Sequence, residues 1–167
     1  MRAYFFFLAL APSVDSFHMP ASAVLLCLVV AIADGDTLTA RCGEPGAYEQ
    51  VKVRIGGIDA PEKAQPFGQR SRQALADLCH RESATIRSTT KDKYGRTVAD
   101  VQCQGQDVGR TQVAAGLAWV FDRYSEGYED LYPLQRVAQA DRRGLWTDSA
   151  PVAPWDWRQQ RRSTPQP

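Results

Sequence analysis

What most limits the fold of this chain is an apolar, β-branched run that ends on a turn dipeptide. Val24 to Ala33 is almost wholly apolar, and Asp34-Gly35 follows it directly. A run of that length and composition reads as a buried strand. Asp-Gly is a two-residue hairpin signal, because both residues tolerate the positive φ that such turns need. Thr37 to Cys42 is then the return strand. Gly43 to Ala47, with Glu44-Pro45-Gly46 inside it, is a loop. Gln50 to Ile58 alternates through Val51, Val53 and Ile55, a third strand with Lys52 and Arg54 on its other face. Gly56-Gly57 allows a bulge or sharp coil there.

Beyond this, Pro66 starts a helix with Phe67, Ala74, Leu75 and Leu78 on one face, ending near His80. Ser83 to Thr90 and Thr97 to Cys103 read as two more strands, joined by the Lys91–Gly95 turn. Asp107 caps a short helix that stops at Gly116. Trp119 to Tyr124 is an extended aromatic segment. Pro133 to Arg143 is a last helix, closed by Gly144. From Pro151 onward Pro and Arg dominate, which reads as a loose, solvated tail. Five strands, a helix between the third and fourth, and helices after the fifth predict an α+β, mainly β fold. Its form is a five-stranded OB-like barrel with about three helices. One domain over residues 24–148 is expected, between a leader at 1–23 and a tail at 149–167.

The 44% hydrophobic content suffices for a packed core. Net charge is only +1, so no global basic field advertises a polyanionic partner. Positive charge must be held locally, with Arg54, Arg96, Lys91, Lys93 and the Arg158, Arg161, Arg162 tail as candidates.

Three short segments carry the chemistry: Asp34-Gly35-Asp36-Thr37; Arg54 followed by Asp59-Ala60-Pro61-Glu62; and Asp92-Lys93-Tyr94-Gly95-Arg96. Asp36 and Asp59 are hard oxygen donors for Ca²⁺ or Mg²⁺. Glu62 is a third carboxylate, able to act on a water. Arg54 and Arg96 supply planar, permanently charged forks that match a phosphate better than lysine does. That set suits metal-assisted hydrolysis of a phosphodiester. Each residue also has a bland reading. Asp-Gly-Asp suits a hairpin with no metal. Asp59 can form an Asx turn ahead of Pro61, Glu62 can be a solvated loop residue, and both arginines can be surface charges. The order and spacing of the whole set outweigh these readings.

The same segments resemble the thermonuclease (staphylococcal-nuclease-like) family, with the likeness running from about Val29 to Trp146. Gly116-Leu117-Ala118, Ala138-Gln139-Ala140 and Leu145-Trp146 also fall in that family's order. The resemblance implies an OB-like barrel and calcium-dependent cleavage of DNA and RNA, with magnesium as the alternative ion. It implies low sequence specificity, a preference for single strands, and 3′-phosphate ends. Asp36, Asp59 and the Ala60 carbonyl would hold the metal, and Ala60 stands where well-known members have Thr. Arg54, Glu62 and Arg96 would be catalytic, with Glu62 either general base or orienter of the water. Lys93 and Tyr94 would lie near a terminal phosphate. Tyr124 would stack on a base; Asp122 replaces the family's second stacking tyrosine. Trp119 and Phe121 suit either the core or substrate stacking. A monomer is expected. The competing reading is a non-catalytic OB-like nucleic-acid-binding module. Such a module should lack part of the set, whereas Asp36, Arg54, Asp59, Glu62 and Arg96 are all present.

Arg2 precedes an apolar run, Ala3 to Ala11, which is short for a membrane span and adequate for a signal sequence. Ala21-Ser22-Ala23 has the form of a cleavage site. Ala9-Leu10-Ala11 is an alternative site, and a true start near Met19 is an alternative to both. The expectation is export to a periplasmic or extracellular space, with no stable membrane insertion after cleavage. Four cysteines allow three complete pairings and lack C-x-x-C spacing. Counting outward from an Asp34-Gly35 turn, Ala33 faces Asp36 and Cys27 faces Cys42, a separation a disulfide can bridge. In the barrel order the fifth strand ends beside the start of the fourth, where the first helix terminates. That brings Cys79 near Cys103. Four buried thiols are the alternative. His18 and His80 have no metal or triad spacing and no assigned role.

Overall fold

In the computed structural model, which describes residues 24–163, strand β1 (Val24–Ile32) turns at Asp34–Asp36 into β2 (Thr37–Cys42). The expected leader, 1–23, lies outside the described residues. β3 (Glu49–Ile55) pairs antiparallel with β2, and a two-residue strand β4 (Ile58–Asp59) follows. Helix α1 (Gly68–Cys79) leads to β5 (Ser83–Lys91) and β6 (Thr97–Cys103). Then come β7 (Gln106–Asp107), α2 (Val108–Ala114), β8 (Trp119–Val120), α3 (Leu131–Ala140) and α4 (Pro154–Ser163). The long strands run β3-β2-β1-β5-β6, and a parallel β3–β6 pairing closes them into a five-stranded barrel. The mainly β, OB-like architecture read from the sequence is present, with four α-helices among the described residues where about three were expected.

Alternation fills the barrel. Val29, Leu38, Ala40, Val53, Ile86, Ala99 and Val101 point inward and are almost fully buried. α1 caps the barrel with Leu75, and α2 adds Val108 and Val113. Asp107 caps α2 as expected, its carboxylate accepting the Arg110 amide at 2.8 Å.

The hairpin register came out as counted, by a different route. The pairs nearest the turn are Ile32↔Leu38 and Ala31↔Thr39, one residue out from a two-residue turn. An irregularity between Val29 and Ala31 takes up the extra residue, so Cys27 faces Cys42 after all. Both disulfides are formed, with Cα–Cα separations of 4.4 Å for Cys27–Cys42 and 5.4 Å for Cys79–Cys103.

Several boundaries differ from the sequence reading. The third strand stops at Ile55, because Gly57 takes a φ of 69° beneath the Tyr128 ring and turns the chain. α1 begins at Gly68 instead of Pro66; the residues before it form turns, with Gln65 N–H on the Glu62 carbonyl. α3 starts two residues before Pro133, which sits in the first turn where its missing N–H costs nothing. Gly144 opens a 3₁₀ turn rather than ending a helix. Trp119–Val120 forms the strand and Phe121 stays extended, but Asp122–Tyr124 is a 3₁₀ turn.

The largest correction is at the C-terminal end. The segment expected to be a loose tail is helix α4, docked on the domain. Pro154 is its first residue, where proline is favoured, Asp156 lies in the first turn, and Arg161 and Arg162 lie in the last. Trp155 stacks on Phe121 with ring centroids 5.2 Å apart and meets Trp119 edge-on at 5.8 Å. Among the described residues, no helix is long and apolar enough to cross a membrane.

Candidate active site

Asp36 ends the β1–β2 turn, and the turn is held from below. Buried Gln112 of α2 donates to the Gly35 carbonyl at 2.6 Å and to the Ser71 carbonyl at 3.0 Å. Any side chain at Gly35 would overlap Ser71, so glycine is required by the close approach of α1. Asp34 accepts the Asp36 amide at 3.1 Å, an Asx turn that aims the Asp36 carboxylate at β4.

There, Asp36 Oδ2 accepts the Ala60 amide at 2.6 Å, and Oδ1 accepts the Thr37 hydroxyl at 2.9 Å. Arg54, opposite Thr37 across β2–β3, places its guanidinium between the two aspartates. Its Nη1 lies 3.1 Å from Asp36 Oδ2 and its Nη2 3.1 Å from Asp59 Oδ1. Asp36 and Asp59 are 5% and 2% exposed. Buried charges of this kind are tolerable only when paired.

The Pro61–Phe67 loop is fixed at both ends of Glu62. Its amide donates to Gln65 Oε1, and Gln65 Nε2 donates to the Val152 carbonyl at 2.7 Å. Its carboxylate meets Arg158 of α4. Arg158 Nη1 lies 2.7 Å from Glu62 Oε1, and Nη2 lies 2.6 Å from Asp59 Oδ2. Asp36, Arg54, Asp59, Ala60 and Glu62 are thus brought together, with Arg158 as a partner that the sequence reading put in a solvated tail.

Arg96, Lys93 and Tyr94 form a second group on the β5–β6 turn. Asp92 organises that turn, accepting the Tyr94 and Arg96 amides and pairing with Arg96 Nε at 2.7 Å. Lys93 Nζ and the Arg96 guanidinium lie 5.0 Å and 5.6 Å from the Tyr94 ring centre. Tyr94 is 72% exposed. The parallel pairing sets the start of β6 beside Val53 and Arg54, so this turn belongs to the same end of the barrel. Arg96 makes its contacts with Asp92 and not with the aspartate pair. Tyr124 stands apart on its 3₁₀ turn, 60% exposed and edge-on to Phe121 at 5.1 Å. Trp119 packs against Trp146 at 4.4 Å and serves a small second core with Ala138 and Leu145.

Burial dominates the electrostatics of the aspartates. Burial, and after it the charge of Asp36, pushes the Asp34 carboxyl up from 3.8 to about 7. Burial also raises Asp59, against the lowering effect of its bond to Arg158. Among the described residues no group of three or more His, Cys, Asp or Glu is arranged as a metal site. The donors that are present still fit a hard cation: two buried carboxylates, with a backbone carbonyl, water and substrate left to complete the shell.

Comparison with known proteins gives the family. Residues 52–148 match the family described as staphylococcal nuclease homologue. A protein of Haemophilus influenzae named uncharacterized endonuclease is 43% identical over 135 residues, 80% of this chain and 73% of that one. The micrococcal nuclease of Shigella flexneri is 35% identical over 140 residues, 78% of each chain. A rice protein named probable staphylococcal-like nuclease CAN1 is 36% identical over 121 residues, 72% of this chain but only 36% of its own length. The family match over more than half of the chain and the extent of these likenesses make this chain a member of the staphylococcal nuclease homologue family.

Proposed function

We propose that this protein is a nuclease that hydrolyses phosphodiester bonds of DNA and RNA with calcium as its cation, showing little sequence preference and leaving 3′-phosphate ends. The observation that carries the reading is the aspartate pair bridged by Arg54, with Glu62 on the adjoining loop. A cation held by Asp36, Asp59 and the Ala60 carbonyl would supply Lewis-acid polarisation of the phosphoryl group. Glu62 takes up or orients the proton of the attacking water. Arg54, one guanidinium from both aspartates, faces the phosphate oxygens as negative charge grows on them. Arg96 approaches from the β5–β6 turn as the second fork. Lys93 and Tyr94, on that same turn, receive a neighbouring phosphate. Tyr124 offers an exposed ring for stacking, which favours single strands with unpaired bases. With Asp122 beside it, that platform has one tyrosine.

Export to an oxidising compartment is part of this reading. Two formed disulfides support it, since such bonds persist outside the reducing cytosol. A monomer is part of the same proposal. The test is incubation of purified protein with single-stranded DNA or RNA in calcium, with and without a chelator, followed by analysis of the product ends. Calcium-dependent cleavage to 3′-phosphates is expected; full activity in excess chelator excludes the metal assignment. Binding without cleavage under every cation would favour a nucleic-acid-binding module.

A further inference from the structure

Arg158 reaches the carboxylates from α4, 99 positions beyond Asp59 and 96 beyond Glu62. Its Nη2 donates to Asp59 Oδ2 at 2.6 Å, and its Nη1 to Asp59 Oδ1 at 3.3 Å and Glu62 Oε1 at 2.7 Å. Arg54 Nη2 donates to the same Oδ1 at 3.1 Å. Both oxygens of Asp59 are therefore engaged by guanidinium groups. The Asp59 side chain is 3% exposed, and those of Arg158 and Glu62 are 33% and 41% exposed. Arg158 thus lies on the water side of Asp59, where an ion from solvent must arrive.

A guanidinium and a divalent cation compete for the same oxygens. A cation needs lone pairs at about 2.3–2.6 Å, and a positive charge already at hydrogen-bond distance repels it. The helix carrying Arg158 is docked by other contacts. Trp155 stacks on Phe121, Trp155 meets Trp119, and Gln65 holds the Val152 carbonyl. The Arg158 side chain can therefore leave Asp59 while α4 stays in place.

We propose that Arg158 is the resident counter-ion of the site, a tethered cation that holds Asp59 and Glu62 until a divalent ion takes Asp59 and leaves Glu62 free for the water, an inference that rests on the hydrolytic reading above. Arg158 thereby sets how tightly the site binds its metal, acting through Asp59 and Glu62 as a positioning residue.

The test is calorimetric titration of calcium into the full chain without nucleic acid. Arg158→Gln should lower the calcium dissociation constant by about tenfold or more, because a contact charge is removed. Arg136→Ala, which removes an exposed positive charge from α3, should leave it within about twofold, because solvent screens it. In the unsubstituted protein, the guanidinium of Arg158 should rotate slowly on the NMR timescale and become free on calcium addition. That measurement serves even if the variant fails to fold. Equal or weaker calcium binding by Arg158→Gln, or an Arg158 signal that calcium leaves unchanged, overturns the inference alone. No calcium binding by either protein overturns the metal reading as well.

Discussion

The Ala60 amide donates to Asp36 Oδ2 at 2.6 Å, joining two residues 24 positions apart in the chain. The same oxygen lies 3.1 Å from Arg54. Asp36→Ala would leave a buried amide and a nearly buried guanidinium without this acceptor. Nuclease activity should fall by about a hundredfold or more, and stability by about 3 kcal/mol. Cleavage assays and chemical denaturation would measure the two losses. Activity within tenfold of the parent would remove Asp36 from the site.

Glu62→Gln should separate rate from binding. Glutamine can still accept from Arg158, so the loop stays in place, but it cannot take a proton. The turnover number should drop by about 10²–10⁴, with KM within about threefold. A large rise in KM at unchanged turnover would make Glu62 a binding residue instead.

Arg96→Lys should lower turnover by about tenfold or more, because a point charge cannot make the two parallel contacts of a fork. The Asp92-organised turn is otherwise kept, so the melting temperature should move little. Turnover close to the parent value would leave Arg96 as a turn-stabilising partner of Asp92 and nothing more.

Asp34 gives the cation-free protein a defined pH response. Its carboxyl is raised from 3.8 in the unfolded chain to about 7. The folded state therefore holds a proton that the unfolded state releases. Its stabilising contribution is complete below about pH 4 and is lost as pH rises through about 7. Melting curves in chelator should show Asp34→Asn losing less stability than the parent between pH 5 and pH 8. Parallel pH slopes would contradict the raised value.

Reduction of Cys27–Cys42 and Cys79–Cys103 should lower the melting temperature. The bridges close spans of 15 and 24 residues, and each contributes about 2–4 kcal/mol by restricting the unfolded chain. No cysteine is part of the chemistry, so activity at low temperature should survive reductant. Loss of activity without loss of fold would place one bridge in control of site geometry.

Legibility in the sequence followed the range of the interactions involved. β2 and β6 begin and end where alternation and turn residues placed them, because those signals are local. The Cys27–Cys42 pairing was counted from a turn one residue too short, and the irregularity near Val30 absorbed the error. Nothing in an apolar run announces a bulge. The Asp36, Arg54 and Asp59 cluster was legible as a motif, while its bracing by Gln112 and Gln65 was not, since those contacts span the chain. α4 reads as a loose tail in the sequence because Pro and Arg dominate from Pro151 onward. Proline at a helix's first position, Asp156 behind it and arginines at its end were the available start and stop signals.

The barrel also has two unlike poles. Asp36 precedes β2 and Cys42 ends it, so the end with the aspartate pair and the Cys27–Cys42 end stand about 20 Å apart at the usual strand rise. At the far pole, residues 43–49 are exposed, and a disulfide clamps the strand pair behind them. Foreign sequence grafted between Glu44 and Ala47 would enter where backbone is solvated and where β2, the strand leading into the loop, is covalently tied to β1. That makes the β2–β3 loop the natural port for a reporter peptide or a targeting module, added without touching the end that holds the aspartate pair.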